Sequence, residues 1–167
     1  MDARALALGR WLFGSSISKS DWQETVSPEI LFEEGARVVR ILLVDDNPSV
    51  RHYLRAILEQ QNTWQVCGEA RTGAEALHMV LEAPPDLILL DYQMPDLNGV
   101  DVARQIGEMF PKIPILMVTI HLSKQLADAA RLAGVRGACA KQDIGSVVEA
   151  VEVLLRNQTY FPVASAP

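Results

Sequence analysis

Asp45, Asp46, Asp91, Thr119 and Lys141 have one thing in common: each closes or follows a short apolar run. ILLV leads into Asp45 and Asp46, LILL into Asp91, ILMV into Thr119, and ACA into Lys141. If those runs are neighbouring parallel strands, their carboxyl ends share one edge of a sheet, where open α/β folds place ligand sites. Three carboxylates, a hydroxyl and an ammonium then meet around one point. Such a set suits phosphoryl chemistry. A carboxylate can accept a phosphoryl group as a covalent aspartyl phosphate. Charge gathers on the equatorial oxygens during transfer, so catalysis is mainly positioning and electrostatic stabilisation. Acids crowded together repel one another and the incoming group, which calls for a divalent cation between them. Magnesium suits the site, because it takes hard oxygen ligands and commonly binds through one or two carboxylates plus phosphate oxygens.

Singly, most of these residues have plainer readings. Asp45-Asp46-Asn47-Pro48 reads equally as a helix cap, Lys141 as a solvated charge before a polar turn, and Thr119 as an ordinary strand residue. Asp91 is harder to dismiss, because two acids already stand on the same edge. His52, His78 and His121 lie far apart, without metal-ligand spacing, and read as surface or packing residues.

The elements that must position these groups alternate from Val38 onward. VVRILLV, residues 38–44, is a β-branched apolar run. Asn47-Pro48-Ser49 then caps a helix carrying Val50, Leu54, Ile57 and Leu58 at helical spacing. WQVCGEA, residues 64–70, alternates as a strand open on one side would, and Gly73 to Leu81 is helical, ended by Pro84-Pro85. LILL, residues 87–90, is apolar throughout, as expected of a strand covered on both faces. A loop through Met94-Pro95-Asp96-Leu97-Asn98-Gly99 precedes a helix with Val100, Ala103, Ile106 and Met109 inward, stopped by Pro111. ILMV at 115–118, a helix from Leu122 to Ala133 with Gly134 as its C-cap glycine, GACA at 137–140 and a helix from Asp143 to Arg156 complete the series. Five βα units predict a three-layer α/β/α sandwich with a parallel sheet and right-handed crossovers.

The chain has 167 residues, 49% of them apolar and 22% charged, which suits one core with extensions. A net charge of -6 offers no basic field for a nucleic-acid backbone, so direct nucleic-acid binding is not expected. Cys67 and Cys139 read as free core thiols in a reducing compartment, which places the protein in the cytoplasm. ALALGRWLF is too short to span a bilayer and has no signal-peptide layout, so no membrane association is expected. Residues 1–37 are read as an extension, poorly ordered or carrying a short helix from Ser27.

VDDNPSVR, LDYQMPDLNG, MVTIH and AKQD, in order and each at the end of its own strand, together resemble the receiver domain of bacterial two-component response regulators. The likeness covers about residues 39–157. WQVCGEARTGAEAL, AGVRG and NQTYFP are similar to the subfamily that usually carries a LuxR-type helix-turn-helix output. The resemblance implies a flavodoxin-like (βα)5 fold with strand order 2-1-3-4-5, an order for which receivers are themselves a standard illustration. It implies Asp91 as phosphoacceptor, with Thr119 and Lys141 contacting the phosphoryl oxygens. Magnesium is then held by Asp46, Asp91 and the main-chain carbonyl of Gln93, with Asp45 acting directly or through water. Phosphorylation is expected to pull Thr119 inward and shift the surface of the fourth helix, fifth strand and fifth helix. Gln93 and His121 lie two residues after the acceptor and the threonine, where they border the phosphoryl group and tune its lifetime. The implied donor is a histidine kinase or phosphotransfer protein, the implied output a downstream protein, and a homodimer is compatible with both. Catalysis of its own would be limited to self-phosphorylation and self-dephosphorylation.

Two departures bear on this expectation. The family usually has Tyr or Phe three residues before the lysine, where this chain has Ala138, so the aromatic that moves with the threonine is missing. Thr159-Tyr160-Phe161-Pro162 resembles a linker into an output domain, yet five residues follow it. A stand-alone receiver or one cut at the domain boundary, with 158–167 as a linker-like tail, accounts for that. The rivals are a receiver-like scaffold whose contacts ignore phosphate and an aspartyl phosphatase of the haloacid dehalogenase type. The phosphatase needs Asp-x-Asp after one strand, whereas Tyr92-Gln93 follows Asp91.

Overall fold

The structure is a computed structural model that describes residues 37–161. The expectations for residues 1–36, including the helix at Ser27, and for 162–167 lie outside the described residues.

Strands β1 (Val39–Val44), β2 (Trp64–Ala70), β3 (Leu87–Leu90), β4 (Ile115–Thr119) and β5 (Gly137–Ala140) alternate with helices α1 (Pro48–Leu58), α2 (Gly73–Glu82), α3 (Gly99–Met109), α4 (Lys124–Leu132) and α5 (Ile144–Leu155). The sheet is parallel, in the order β2-β1-β3-β4-β5, as expected. Successive strand residues point to opposite faces, so the apolar runs feed two cores at once. Ile41, Leu43, Leu87, Leu89, Leu116 and Val118 face α1 and α5. Leu42, Val44, Ile88, Leu90, Ile115 and Met117 face α2, α3 and α4. This double coverage is why LILL has no polar position.

Each helix starts on a side-chain cap. Asn47, Thr72, Asn98, Ser123 and Asp143 accept hydrogen bonds from the first turns of α1 to α5 in turn. The Ser123 cap starts α4 two residues later than the apolar spacing suggests. Gly134 does follow that helix with φ of 86°, where only glycine sits without strain. Met109, expected inward, is exposed, because α3 ends there and the neighbouring Phe110 packs on the core instead.

Cys67 also departs from expectation. The β1–β2 register slips between Ile41 and Leu42, pairing Val66 and then Gly68, so Cys67 is the extra residue of a bulge. Both thiols are free, but Cys67 is exposed and only Cys139 is buried. Burial pushes the Cys139 thiol up to about 12. Iodoacetamide is therefore expected to label Cys67 in the native protein and both thiols in urea. Intact mass reads the count, and native labelling of Cys139 at the rate of Cys67 would contradict this placement.

The outer edge of β5 is paired as well. Gly137 forms a parallel bridge with Tyr160. The Ala138 amide donates to the Tyr160 carbonyl at 2.8 Å, and the Tyr160 amide to Arg136 at 3.0 Å. Ala138 is fully buried, and Phe161 packs on the same core beneath the Arg131 guanidinium, 4.0 Å from its ring centre.

Candidate functional site

Strand register places the reactive groups side by side. Val44 pairs with Leu90, so Asp45 and Asp91 leave adjacent strands at one level, tied by the Asp91 amide donating to the Val44 carbonyl at 2.8 Å. Thr119 pairs with Ala140, and the Lys141 amide donates to the Thr119 carbonyl at 2.8 Å. Between β1 and β3 the strand order reverses, which opens a crevice at the carboxyl ends. Asp45 and Asp91 stand in it.

Asp45, Asp91 and Thr119 are buried, while Asp46 is exposed at the rim. Lys141 Nζ contacts Asp45 Oδ2 and lies 2.9 Å from Asp91 Oδ2. One ammonium is thus shared between two carboxylates. Burial raises the Asp91 pKa, Lys141 opposes that rise, and the charge of Asp45 adds to it. Burial alone would lower the Lys141 pKa, but hydrogen bonds and charge from Asp45 and Asp91 outweigh it and raise the value.

Asp45, Asp46 and Asp91 each offer a carboxylate oxygen within 4.8 Å of the others. This donor set fits a hard divalent cation, which prefers oxygen ligands and offsets clustered negative charge. The Gln93 amide hydrogen-bonds the Asp91 carboxylate, and its side chain is exposed. His121 is exposed beyond Thr119, and His52 and His78 are exposed elsewhere. Gln142 Nε2 donates to the Ile120 carbonyl at 3.0 Å, which joins the loops after β4 and β5.

Sequence reasoning missed two groups. Asp96 accepts from the Gly73 and Ala74 amides at 3.0 and 2.9 Å, which ties the loop after β3 to the start of α2 and lowers the Asp96 pKa. Arg51 is buried on α1 and donates to the Asp45 carbonyl. Its signal was available: Arg51, Leu54 and Leu58 lie on one helical stripe, and an arginine among apolar stripe positions needs a buried partner.

A sequence model of one family, the response regulator receiver domain, matches residues 41–152. The chain belongs to that family. It is a receiver domain of two-component signalling. The receiver is 31% identical to the VraR response regulator of Staphylococcus saprophyticus over 124 residues, covering 74% of this chain and 59% of that protein. It is 40% identical over 93 residues to a protein-glutamate methylesterase/protein-glutamine glutaminase of Pyrococcus horikoshii, covering 56% of this chain and 25% of that protein. The receiver thus spans between a quarter and about three-fifths of these two curated relatives.

Among solved structures, a LuxR-family response regulator from Aurantimonas sp. SI85-9A1 superposes with a TM-score of 0.72 at 31% identity, covering 74% of this chain and 89% of that one. The response regulator domain of Thermotoga maritima CheB gives 0.65 at 28% identity, covering 72% and 96%. The first match agrees with the LuxR-type wording of the sequence. No helix among the described residues is long and apolar enough to cross a membrane.

Proposed function

We propose that this receiver takes a phosphoryl group onto Asp91 from a histidine kinase or phosphotransfer protein in the cytoplasm and signals through protein contacts. The observation that supports this most is the Lys141 ammonium shared between two buried carboxylates at the reversal of strand order. An Asp91 Oδ attacks phosphorus, a P–O bond forms, and the P–N bond to the donor histidine breaks with its electron pair leaving on the imidazole. Lys141 then follows the new negative charge from the carboxylate to a phosphoryl oxygen, and the Thr119 hydroxyl donates to another. Asp46, Asp91, the Gln93 carbonyl and Asp45, directly or through water, would hold magnesium, which would supply charge neutralisation at this acid cluster. Hydrolysis reverses the modification: water attacks phosphorus and the P–O bond to Asp91 breaks.

The test is incubation of the full chain with acetyl phosphate and magnesium, read by intact mass beside Asp91→Ala. A gain of one phosphoryl group in the parent alone is expected. No gain in the parent would favour a scaffold whose contacts ignore phosphate, the rival reading that rests on Ala138 standing where the family has an aromatic. An aspartyl phosphatase remains the weaker rival for want of Asp-x-Asp.

Gln93 and His121 flank the pocket from exposed positions, and we assign them control of phosphoryl lifetime through access of water. Replacing both with Ala is expected to change the decay rate of the Asp91 phosphate severalfold while acceptance persists. Unchanged decay, followed by intact mass over time, would remove that role.

A further inference from the structure

We propose that Arg51 is a positioning residue that fixes the acid loop for cation binding, with Glu69 as its anchor; this rests on the reading of the acid cluster as a magnesium site. Arg51 is 6% exposed, unusual for a group so strongly hydrated when free. Its guanidinium is placed by two bonds in different directions. Nη1 donates to the Asp45 carbonyl at 2.7 Å, and Nε to Glu69 Oε2 at 3.0 Å. Arg55 holds the other Glu69 oxygen at 2.8 Å, so the anchor cannot swing away. Both arginines outweigh the effect of burial on Glu69 and hold its carboxyl below the ordinary value, which keeps the anchor charged.

The carbonyl that Arg51 grips belongs to the peptide joining Asp45 to Asp46. A peptide is planar, so fixing that oxygen fixes the direction in which the chain leaves Asp45 and carries Asp46. The same turn is held by the Asp45 amide on the Ala70 carbonyl at 3.1 Å and by the Asn47 amide on Asp45 Oδ1 at 2.9 Å. Asp46 is exposed, and its side chain makes no hydrogen bond or ion pair among the described residues. Its place beside Asp45 and Asp91 therefore depends on the backbone beneath it, and Arg51 is the buried side chain that secures that backbone.

Charge and geometry predict opposite signs. A guanidinium acting only as a nearby positive charge would repel a cation, so removing it would tighten binding. A guanidinium that orients the acids would, when removed, weaken binding. Partners of this kind, one bond removed from the ligands, typically change metal affinity by about 10–100-fold.

The experiment is calorimetric titration of magnesium into the full chain, with no phosphodonor present, for the parent, Arg51→Met, Arg51→Lys and Glu69→Gln. Thermal unfolding and circular dichroism are recorded for each. Leu154→Ala, a cavity in the core against α5, serves as a destabilised control. Dissociation constants about tenfold weaker for Arg51→Met, and severalfold weaker for Arg51→Lys and Glu69→Gln, are expected, with the control unchanged. Arg51→Lys keeps the charge and loses the fork, so its weakening separates geometry from charge. Equal or tighter binding in the folded variants overturns the proposal, as does an equal loss in Leu154→Ala, which would make the effect one of general stability. A parent that binds no magnesium removes the cation site together with this role, whereas a parent that binds beside variants that bind equally removes only the role of Arg51.

Discussion

Replacing Lys141 with Met is expected to destabilise the metal-free receiver by about 3–5 kcal/mol at neutral pH, because removing one partner of a buried ion pair leaves the other uncompensated. Here the remainder is two carboxylates, on Asp45 and Asp91, whose side chains are 4% and 5% exposed. For a chain of this size the loss corresponds to roughly 6–20 °C in Tm. Magnesium should restore part of it, since a ligand that binds only the folded state stabilises by mass action. The pH dependence has a definite sign. The parent's Lys141 pKa is raised, so its stabilisation is complete below the ordinary lysine value of 10.5 and is lost as pH rises through the folded value. The Asp91 pKa is raised too, so ionising it costs more in the fold than in the unfolded chain, and stability falls as pH climbs above 3.8 towards the folded value. Without Lys141 to oppose it, that rise grows. The deficit of Lys141→Met should therefore be largest near pH 7 and shrink as pH falls through the raised Asp91 value towards 3.8, as Asp91 takes a proton. Urea unfolding in chelator across that range measures it, and a deficit independent of pH would contradict the shared-ammonium geometry.

Gly99→Ala is expected to be nearly as damaging for a different reason. A Cβ at residue 99 would fall on the Asp91 carbonyl oxygen, well inside contact distance, and lie 2.9 Å from Tyr92 Cα. Both obstacles are backbone and cannot rotate away. The Gly99 amide also donates to the Tyr92 carbonyl at 2.8 Å, which pins the start of α3 against the strand end carrying Asp91. Relief must come from moving either the helix or the acid, at about 3 kcal/mol or more, with a matching drop in the rate of phosphoryl acceptance. Gly107→Ala makes a useful opposite. It lies inside α3 with its nearest Cβ contact at 3.7 Å, so the alanine should stabilise by roughly 0.5–1 kcal/mol through helix propensity. Denaturant unfolding of both variants checks the pair; a tolerated Gly99→Ala would mean that the turn is looser than described.

How much of this was legible in the sequence follows from what each element buries. LILL and ILMV read clearly because a parallel strand covered on both faces leaves no polar position, so its end is marked by the first polar residue. The ends of these runs, with those of ILLV and ACA, located Asp45, Asp91, Thr119 and Lys141 on one sheet edge, and Pro84-Pro85 and Gly134 punctuated the helices for local steric reasons. The β2 segment was less legible. Its register slip is set by pairing with β1, which skips Cys67 between Val66 and Gly68, and the strand's own residues do not mark it. For Arg51 the stripe marked the buried position, but its partners, the Asp45 carbonyl just after β1 and Glu69 on β2, come from distant residues and only the fold names them. Met109 misread because periodicity does not reveal where α3 stops.

The bridge from Tyr160 to Gly137 also sets where the fold can be cut. The last helix ends at Leu155, and a boundary drawn there by secondary structure would discard the segment that occupies the outer rim of β5. That rim would then present unsatisfied amides and carbonyls, a template on which a second molecule could add its own strand. By pairing with part of that rim, Tyr160 removes backbone groups that an added strand would need. Its own amide and carbonyl take up the Arg136 carbonyl and the Ala138 amide on that rim.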